Sequence, residues 1–587
     1  MPHSTGFRGQ LTDIGYVKEA SLPHAAKLDL VEMAKKSLHY LMNNPMPEHA
    51  YQCRFTLAPS FLPPFCPEQQ IPSIGDFIDP ITEGDTENRN DVSFSMMREM
   101  TGDYESGTLP EEKVHERLLS YLQGEGFGHG LFRNHGYSIC IVNDSTYINL
   151  WPTGMLLHSE CLRVKHGLCD ASVARAIFEG MMDEATRENG RAYFRHGFAI
   201  YNETEAPGTY ADHYPVVMSG LCEYWMLTGD ERCLEFLYEL AEGLVCDLQP
   251  QHLHREDGGL DGHNHTSLHS VRGMAQFAYL TGEVRYLKWV KDIYDYYCRW
   301  SLDTGWLPEI RDLADHSNHS ETCLNADMLE IEVWLALAGY DELWDQVERD
   351  LRNYFGLMQF EVTSGYETWY REVHKDAPAC EVEAAIDYMR ELEGGFISAA
   401  TPNDYIFKLR EGGAHFGAVD YRGGRVSFDM MGCCPPEGMR AIYFAWKYAQ
   451  QTEDDTTTVY LPIDSESDEA KVESSLPCRG HLRITAKKGG SMLVRIPKWA
   501  PRGEVSVSVN GGKIPVIWSG CAKQYVEITG LLPCDAVEVD YLLLDMIQTV
   551  SITPFEQPAQ TYRYHWIGNT VAGVDPEGEF LPLYPKL

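Results

Sequence analysis

A short phrase that returns along the middle of the chain decides most of what it can fold into. Tyr224-Trp225-Met226-Leu227-Thr228-Gly229-Asp230-Glu231-Arg232 comes back as Ala278-Tyr279-Leu280-Thr281-Gly282-Glu283-Val284-Arg285-Tyr286, with the two glycines 53 residues apart. Weaker echoes stand at Met100-Thr101-Gly102-Asp103 and Leu337-Ala338-Gly339-Tyr340-Asp341. In each, an apolar helical run meets a glycine able to take the left-handed cap conformation, and an acidic residue opens the next helix. Helical hairpins repeated at this spacing predict an (α/α)6 toroid or barrel; the alternative is an irregular helical bundle. Helical character runs from about Asp91 to about Gln450, and an earlier helix is expected over Ala25 to Met42. The proline- and aromatic-rich stretch Leu57 to Pro67 reads as a loop that wraps the surface or rims a pocket.

After about Thr452 the periodicity changes from helical to alternating. Thr458 to Leu461, His481 to Thr485, Met492 to Ile496, Val505 to Val509, Tyr525 to Ile528 and Val537 to Tyr541 alternate apolar and polar residues, and Asn510-Gly511-Gly512 marks a turn. Such runs predict an antiparallel β-sandwich. The expected class is therefore mixed and mainly α, with the barrel over residues 1–452 holding the chemistry and the sandwich over residues 453–587 packed against it. A length of 587 residues exceeds what one ordinary core supports, in keeping with two such units.

Charge narrows the partners. With Lys+Arg at 48 and Asp+Glu at 87, the formal net charge of −39 repels phosphate backbones and anionic membrane surfaces, so neither nucleic acid nor membrane is an expected partner. The N-terminus lacks a basic region followed by an apolar run, and no apolar stretch has bilayer length; a cytoplasmic location is expected. The 16 cysteines are scattered through the chain, which favours free thiols plus a metal site over a disulfide framework.

One pair of those cysteines is singular. Cys433-Cys434 lies in Met430-Met431-Gly432-Cys433-Cys434-Pro435-Pro436-Glu437-Gly438, and Glu321-Thr322-Cys323 offers one carboxylate and one thiol more than a hundred residues upstream. Three sulfurs and an oxygen suit a tetrahedral zinc ion; the plainer reading is a pair of buried thiols at a helix start. His263 and His265, in the glycine-bounded Asp261-Gly262-His263-Asn264-His265-Thr266, fall where loop gives way to helix, and neutral imidazoles there can bond sugar hydroxyls or bind metal. Glu309 precedes Glu321 by twelve residues; a loop folding back between them sets a candidate general acid/base opposite the metal site.

Taken together, these stretches resemble glycoside hydrolase family 127, the β-L-arabinofuranosidases. Ser320-Glu321-Thr322-Cys323 and Gly432-Cys433-Cys434-Pro435-Pro436 are similar to the family's paired zinc-binding signatures. Gly262-His263-Asn264-His265-Thr266 with the following helix, Val347-Glu348-Arg349, and Val494-Arg495-Ile496-Pro497-Lys498-Trp499-Ala500 add support, so the resemblance spans about Tyr214 to Trp499. It implies a retaining exo-glycosidase with Zn2+ on Glu321, Cys323, Cys433 and Cys434. Cys433 would be the nucleophile, Glu309 the acid/base, and His263 and Glu348 would bind the hydroxyls of a small carbohydrate substrate, with His265 beside them.

The pattern departs from the family at several pocket positions. Glu437 stands where an asparagine is expected, and Met155 or His158 replaces a sugar-binding histidine. His213 or Tyr214 takes the place of another pocket histidine, and Phe396-Ile397-Ser398 fills the region of an expected tyrosine. The alternatives are a hydrolase of the same construction for another sugar, pyranoside or acidic; a non-catalytic sugar-binding protein with a structural zinc; and a metal-free lyase or epimerase. Homo-oligomerisation is left open by the sequence.

Overall fold

A computed structural model describes residues 7–25, 27–54, 56–57, 85–122, 133–134, 147–148, 150–194, 215–246, 254–260, 264–309, 319–408, 419–421, 424–427, 430–520, 522–552 and 558–587. The helices are α1 (Leu30–Asn43), α2 (Asp85–Thr101), α3 (Thr108–Leu122), α4 (Leu150–Lys165), α5 (Ser172–Glu184), α6 (Met218–Thr228) and α7 (Glu231–Val245), followed by α8 (Asn264–Thr281), α9 (Val284–Tyr297), α10 (Thr322–Leu337), α11 (Leu343–Asp350), α12 (Ser364–Val373), α13 (Ala379–Glu391) and α14 (Cys434–Lys447). The first of them begins at Leu30, later than the expected Ala25, because Asp29 accepts from the backbone N–H groups of Val31 and Glu32 and so caps the helix there. Almost all of the Leu57–Pro67 stretch lies outside the described residues.

Helices α2, α4, α6, α8, α10 and α14 pack in that order, and α14 returns to α2, so they close a ring. Around it α3 packs on α2, α5 on α4, α7 on α6, α9 on α8 and α11 on α10, while α1 lies across α2 and α14. This is the expected (α/α)6 toroid. The two layers differ in sequence logic. Outer α7 buries Cys233, Phe236, Leu237, Leu240, Ala241 and Leu244, a single apolar stripe at helical spacing. Inner α10 is buried from Thr322 to Ala336 on every face, yet it carries Asn325, Asp327, Glu330 and Glu332. Charged groups so placed must be paired inside the ring.

The repeated phrase forms the inner-to-outer turns. Gly229 and Gly282 take φ of 65° and 70°, the left-handed cap that only glycine adopts without strain, and Asp230 accepts from the Arg232 N–H to start α7. Close packing within the ring also needs glycine: a Cβ on Gly220 would lie 2.3 Å from the Gly154 carbonyl oxygen of α4.

The β region begins with the first element, strand β1 (Gln10–Val17). The later strands are β2 (Gln450–Glu453), β3 (Thr456–Val459), β4 (Ser465–Glu466), β5 (Ala470–Ser474), β6 (His481–Ala486), β7 (Gly490–Arg495), β8 (Ser506–Val509), β9 (Gly512–Ile514), β10 (Ile517–Ser519), β11 (Tyr525–Leu531), β12 (Ala536–Asp540), β13 (Leu543–Ile552), β14 (Gln560–Ile567) and β15 (Thr570–Asp575). Two sheets, ordered β2-β3-β7-β11-β10 and β4-β5-β6-β12-β8-β9, face each other over Val459, Val472, Ile484, Val494, Val526 and Val539. All their ladders are antiparallel except β3 with β7, which runs parallel. A third sheet, β1-β13-β14-β15, joins the helical core through Met546, Tyr564, Trp566 and Val574.

Sandwich and ring are tied by buried charge. Arg495 at the end of β7 contacts Asp345 and, at 3.4 Å, Glu348, both on α11; the Lys498 N–H donates to Asp345 at 2.9 Å. No helix among the described residues is long and apolar enough to cross a membrane.

Candidate metal centre and its buried charge cage

The inner ring sets its chemistry on the first turns of its helices. Glu321 is the N-cap residue of α10, with the Thr322 N–H donating to the Ser398 carbonyl at 2.7 Å and the Thr322 hydroxyl donating to the Ile397 carbonyl at 2.6 Å. Cys433 is the N-cap residue of α14, whose first turn carries Pro435 and Pro436; proline is tolerated there because those N–H groups have no intrahelical partner. Just before it, Met430-Met431 pairs with Thr56-Leu57, and the Met431 N–H donates to the Ser398 hydroxyl.

One ligand atom from each of Glu321, Cys323, Cys433 and Cys434 falls within 4.8 Å of all the others, and all four residues are buried. The sulfurs of Cys323 and Cys434 are 3.2 Å apart and those of Cys433 and Cys434 3.7 Å, and all three thiols are free. Zinc at about 2.3 Å from each sulfur sets a tetrahedral edge of about 3.8 Å, so the donor set and its size fit that ion. Thiol hydrogen bonds from Cys323 and Cys434, helped by the charges of Arg89 and His265, hold the Cys433 thiol well below its usual range, while burial pushes Cys323 and Cys434 up. A helix N-terminus also favours the thiolate.

Glu309 is brought towards the same segment by a chain reversal. Pro308 forms a β-bridge with Ser320, the Glu309 N–H donates to the His319 carbonyl at 3.0 Å, and the His319 ring contacts the Glu309 carboxylate at 2.6 Å. The Asn264 side chain donates to the Pro308 carbonyl, so the start of α8 holds the Glu309 segment as well.

Beneath the sulfurs lies a cage that sequence reading missed. Glu437 is 2% exposed and takes Arg89 at 2.8 Å, Arg272 at 2.9 Å and Arg440 at 3.2 Å. Arg272 also meets Asp327 at 2.9 Å, and Arg440 meets Glu330 at 3.4 Å. Burial opposes the Glu437 charge, but the three guanidinium groups prevail and hold its carboxyl far below the ordinary carboxylate range. Here the departure from the expected asparagine has its physical role: a third carboxylate in a cage of three arginines.

His265 lies inside this cage, with Nδ1 2.6 Å from Asp327 and Nε2 3.4 Å from Arg89. His265, His269 and Asp327 offer a second metal-sized group, but the Arg272 guanidinium sits 2.9 Å from both Asp327 and the His269 ring, where a cation would otherwise go. It is an ion-pair cage. His158 is 2% exposed on α4, and burial holds it neutral. Glu348 is placed at the sandwich contact, its oxygens taken by Arg352 at 2.9 Å and Asn569 at 2.7 Å in addition to Arg495. His263, His213 and Tyr214 lie outside the described residues. Arg89, Trp151, Arg272 and Asp327 went unnoticed in the sequence; the available signal was polar residues on helices with no solvent face.

No family model and no curated protein matches the sequence. Comparison of structures defines the class first: a helical toroid with an attached β region, the fold of known glycoside hydrolases. A GH127 β-arabinofuranosidase is similar over 95% of this chain and 85% of its own, with a TM-score of 0.57 and 15% identity. The GH127 β-L-arabinofuranosidase Ara127N from Geobacillus stearothermophilus T6 is similar over 95% of this chain and 86% of its own, at 0.54 and 14%. A further structure described as a glycoside hydrolase gives 0.56 and 15%, over 95% and 83%. At these identities the likeness is one of fold.

Proposed function

We propose that this chain is a retaining exo-glycoside hydrolase, with a β-L-arabinofuranoside as the first substrate to test. The observation that carries the reading is the Glu321, Cys323, Cys433 and Cys434 group on the first turns of two inner helices. The shared fold with β-arabinofuranosidases supports it. Zinc held by those four residues would keep Cys433 a thiolate at neutral pH. The Cys433 sulfur attacks the anomeric carbon, the bond to the leaving oxygen breaks, and Glu309 gives that oxygen its proton. Glu309, now a carboxylate, takes a proton from water; the water oxygen forms a bond to the anomeric carbon and the thiolate leaves. His319, 2.6 Å from Glu309, orients the carboxyl through both steps.

The second reading is a sugar-binding protein with a closed structural zinc, because four protein ligands already complete a tetrahedron. Metal analysis together with turnover of 4-nitrophenyl β-L-arabinofuranoside separates the two. Wild type should hold one zinc per chain and hydrolyse the glycoside, and Cys433→Ala should abolish turnover. Glu309→Gln should slow poor leaving groups far more than 4-nitrophenol, since only they need the proton. Turnover that survives Cys433→Ala would sink the thiolate role; zinc without any glycosidase activity would favour the binding protein.

A further inference from the structure

We propose that Trp151 is a specificity-determining residue of this site, its indole N–H donating to an oxygen of a neutral glycone; this rests on the glycoside-hydrolase reading above. Trp151 opens α4 with 7% exposure, and its Nε1 has no hydrogen-bond partner among the described residues. A buried donor left unpaired is costly, so the position calls for an acceptor that arrives from outside the chain. The Arg89 guanidinium lies 4.9 Å from the ring, and the rings of His265 and His269 lie 4.8 and 4.9 Å away. Arg89 also pairs with Glu437 at 2.8 Å, in the first turn of the helix that carries Cys434, so Trp151 stands one residue removed from the helix start that holds the cysteine pair. An aromatic body with a polar tip, set at the dry end of an inner helix, is what recognition of a hydroxylated ring requires.

The cage sets the charge of that glycone. Arg89, Arg272 and Arg440 are matched within the ring by Glu437, Asp327 and Glu330. None of these three cations is left to receive a sugar carboxylate, and a uronide would meet Glu437 behind Arg89. Among the described residues, the cage therefore favours a neutral glycone over an acidic one.

The test is the Trp151→Phe variant, which keeps an aromatic ring and removes the N–H donor together with part of the indole, measured beside wild type on 4-nitrophenyl β-L-arabinofuranoside, other neutral 4-nitrophenyl glycosides and 4-nitrophenyl β-D-glucuronide. KM should rise about tenfold on the neutral substrate that wild type cleaves, the scale of one lost hydrogen bond, with kcat within about twofold and zinc content unchanged. An unchanged KM overturns the role of Trp151, and cleavage of the glucuronide overturns the neutral-glycone assignment, while both results leave the hydrolase reading intact. A readout independent of turnover is 19F NMR of protein labelled with 5-fluorotryptophan, the Trp151 signal being identified by its loss in Trp151→Phe. L-Arabinose should move that signal and D-glucuronate should not. A signal that stays in place with L-arabinose overturns the proposal even where wild type cleaves nothing.

Discussion

Replacing Glu437 by Gln tests the cage directly. The carboxylate is fully enclosed and takes three guanidinium groups at 2.8, 2.9 and 3.2 Å. An amide of the same shape keeps one acceptor oxygen but turns an NH2 group towards a second arginine, and the three buried cations lose the carboxylate charge they share. Removing one partner of a buried pair costs about 3–5 kcal/mol, because the remaining charge stays buried without compensation. Urea unfolding followed by tryptophan fluorescence at pH 7 should show a loss of this size. Its pH dependence has a fixed sign. The folded-state carboxyl is depressed below its ordinary value, so its contribution is fully present above about pH 4.5 and is lost only as the pH falls through the lowered folded value. The gap between wild type and Glu437→Gln should thus be flat from pH 8 to pH 5 and narrow in acid. Arg89→Met combined with Glu437→Gln should cost less than the two changes added, since each removes the other's stranded charge. A loss at pH 7 below about 1 kcal/mol, the scale of an exposed pair, or a gap that widens in acid, would refute the cage as the reason for a glutamate here.

Three further outcomes follow from the same geometry. Arg495→Met strands Asp345 and Glu348 at the sandwich contact and should cost about 3–5 kcal/mol in the same unfolding assay, with the sandwich separating from the ring in limited proteolysis. Gly438, one turn after the cysteine pair, has the Phe396 ring 2.3 Å from where a Cβ would stand; Gly438→Ala should cost about 1–3 kcal/mol and lower zinc content measured by mass spectrometry. In metal-stripped protein, Cys433 should be carboxymethylated by iodoacetate faster than Cys323 or Cys434 at pH 7, as peptide mapping will read, because its thiol is the one held low.

The sequence made some of this legible because the causes were local. The glycine turns at Gly229 and Gly282 are dictated by left-handed backbone, and the acid that follows by an empty N-cap, so a hairpin can be read within ten residues. The candidate metal group was legible for a different reason. Three sulfurs and a carboxylate in Glu-x-Cys and Cys-Cys make one tetrahedral donor set, so ligand chemistry can join two stretches 110 residues apart, where either alone reads equally well as buried thiols. The strand Gln10–Val17 had no such signal: it pairs with Leu543–Ile552, and only the closed fold brings the two together.

The cage shows why polar residues inside a ring of helices are the hardest to read. Arg89 and Glu437 are 348 positions apart, and each looks in sequence like an ordinary residue of a solvated helix face. What changes their meaning is that α2 and α14 have no solvated face near the ring axis, so a charge there must be answered by another inner helix. Glu348 is the converse. The family resemblance implies a sugar contact for it; in the structure α11 belongs to the outer layer, and the carboxylate takes Arg352, Arg495 and Asn569. For these residues layer goes with role: Glu437 and Asp327 on inner helices meet the arginine cage, and Glu348 and Asp345 on outer α11 meet the sandwich. By this rule, Asp327→Asn should alter kinetics as well as stability, and Asp345→Asn should alter stability alone; equal kinetic effects from the two would break it.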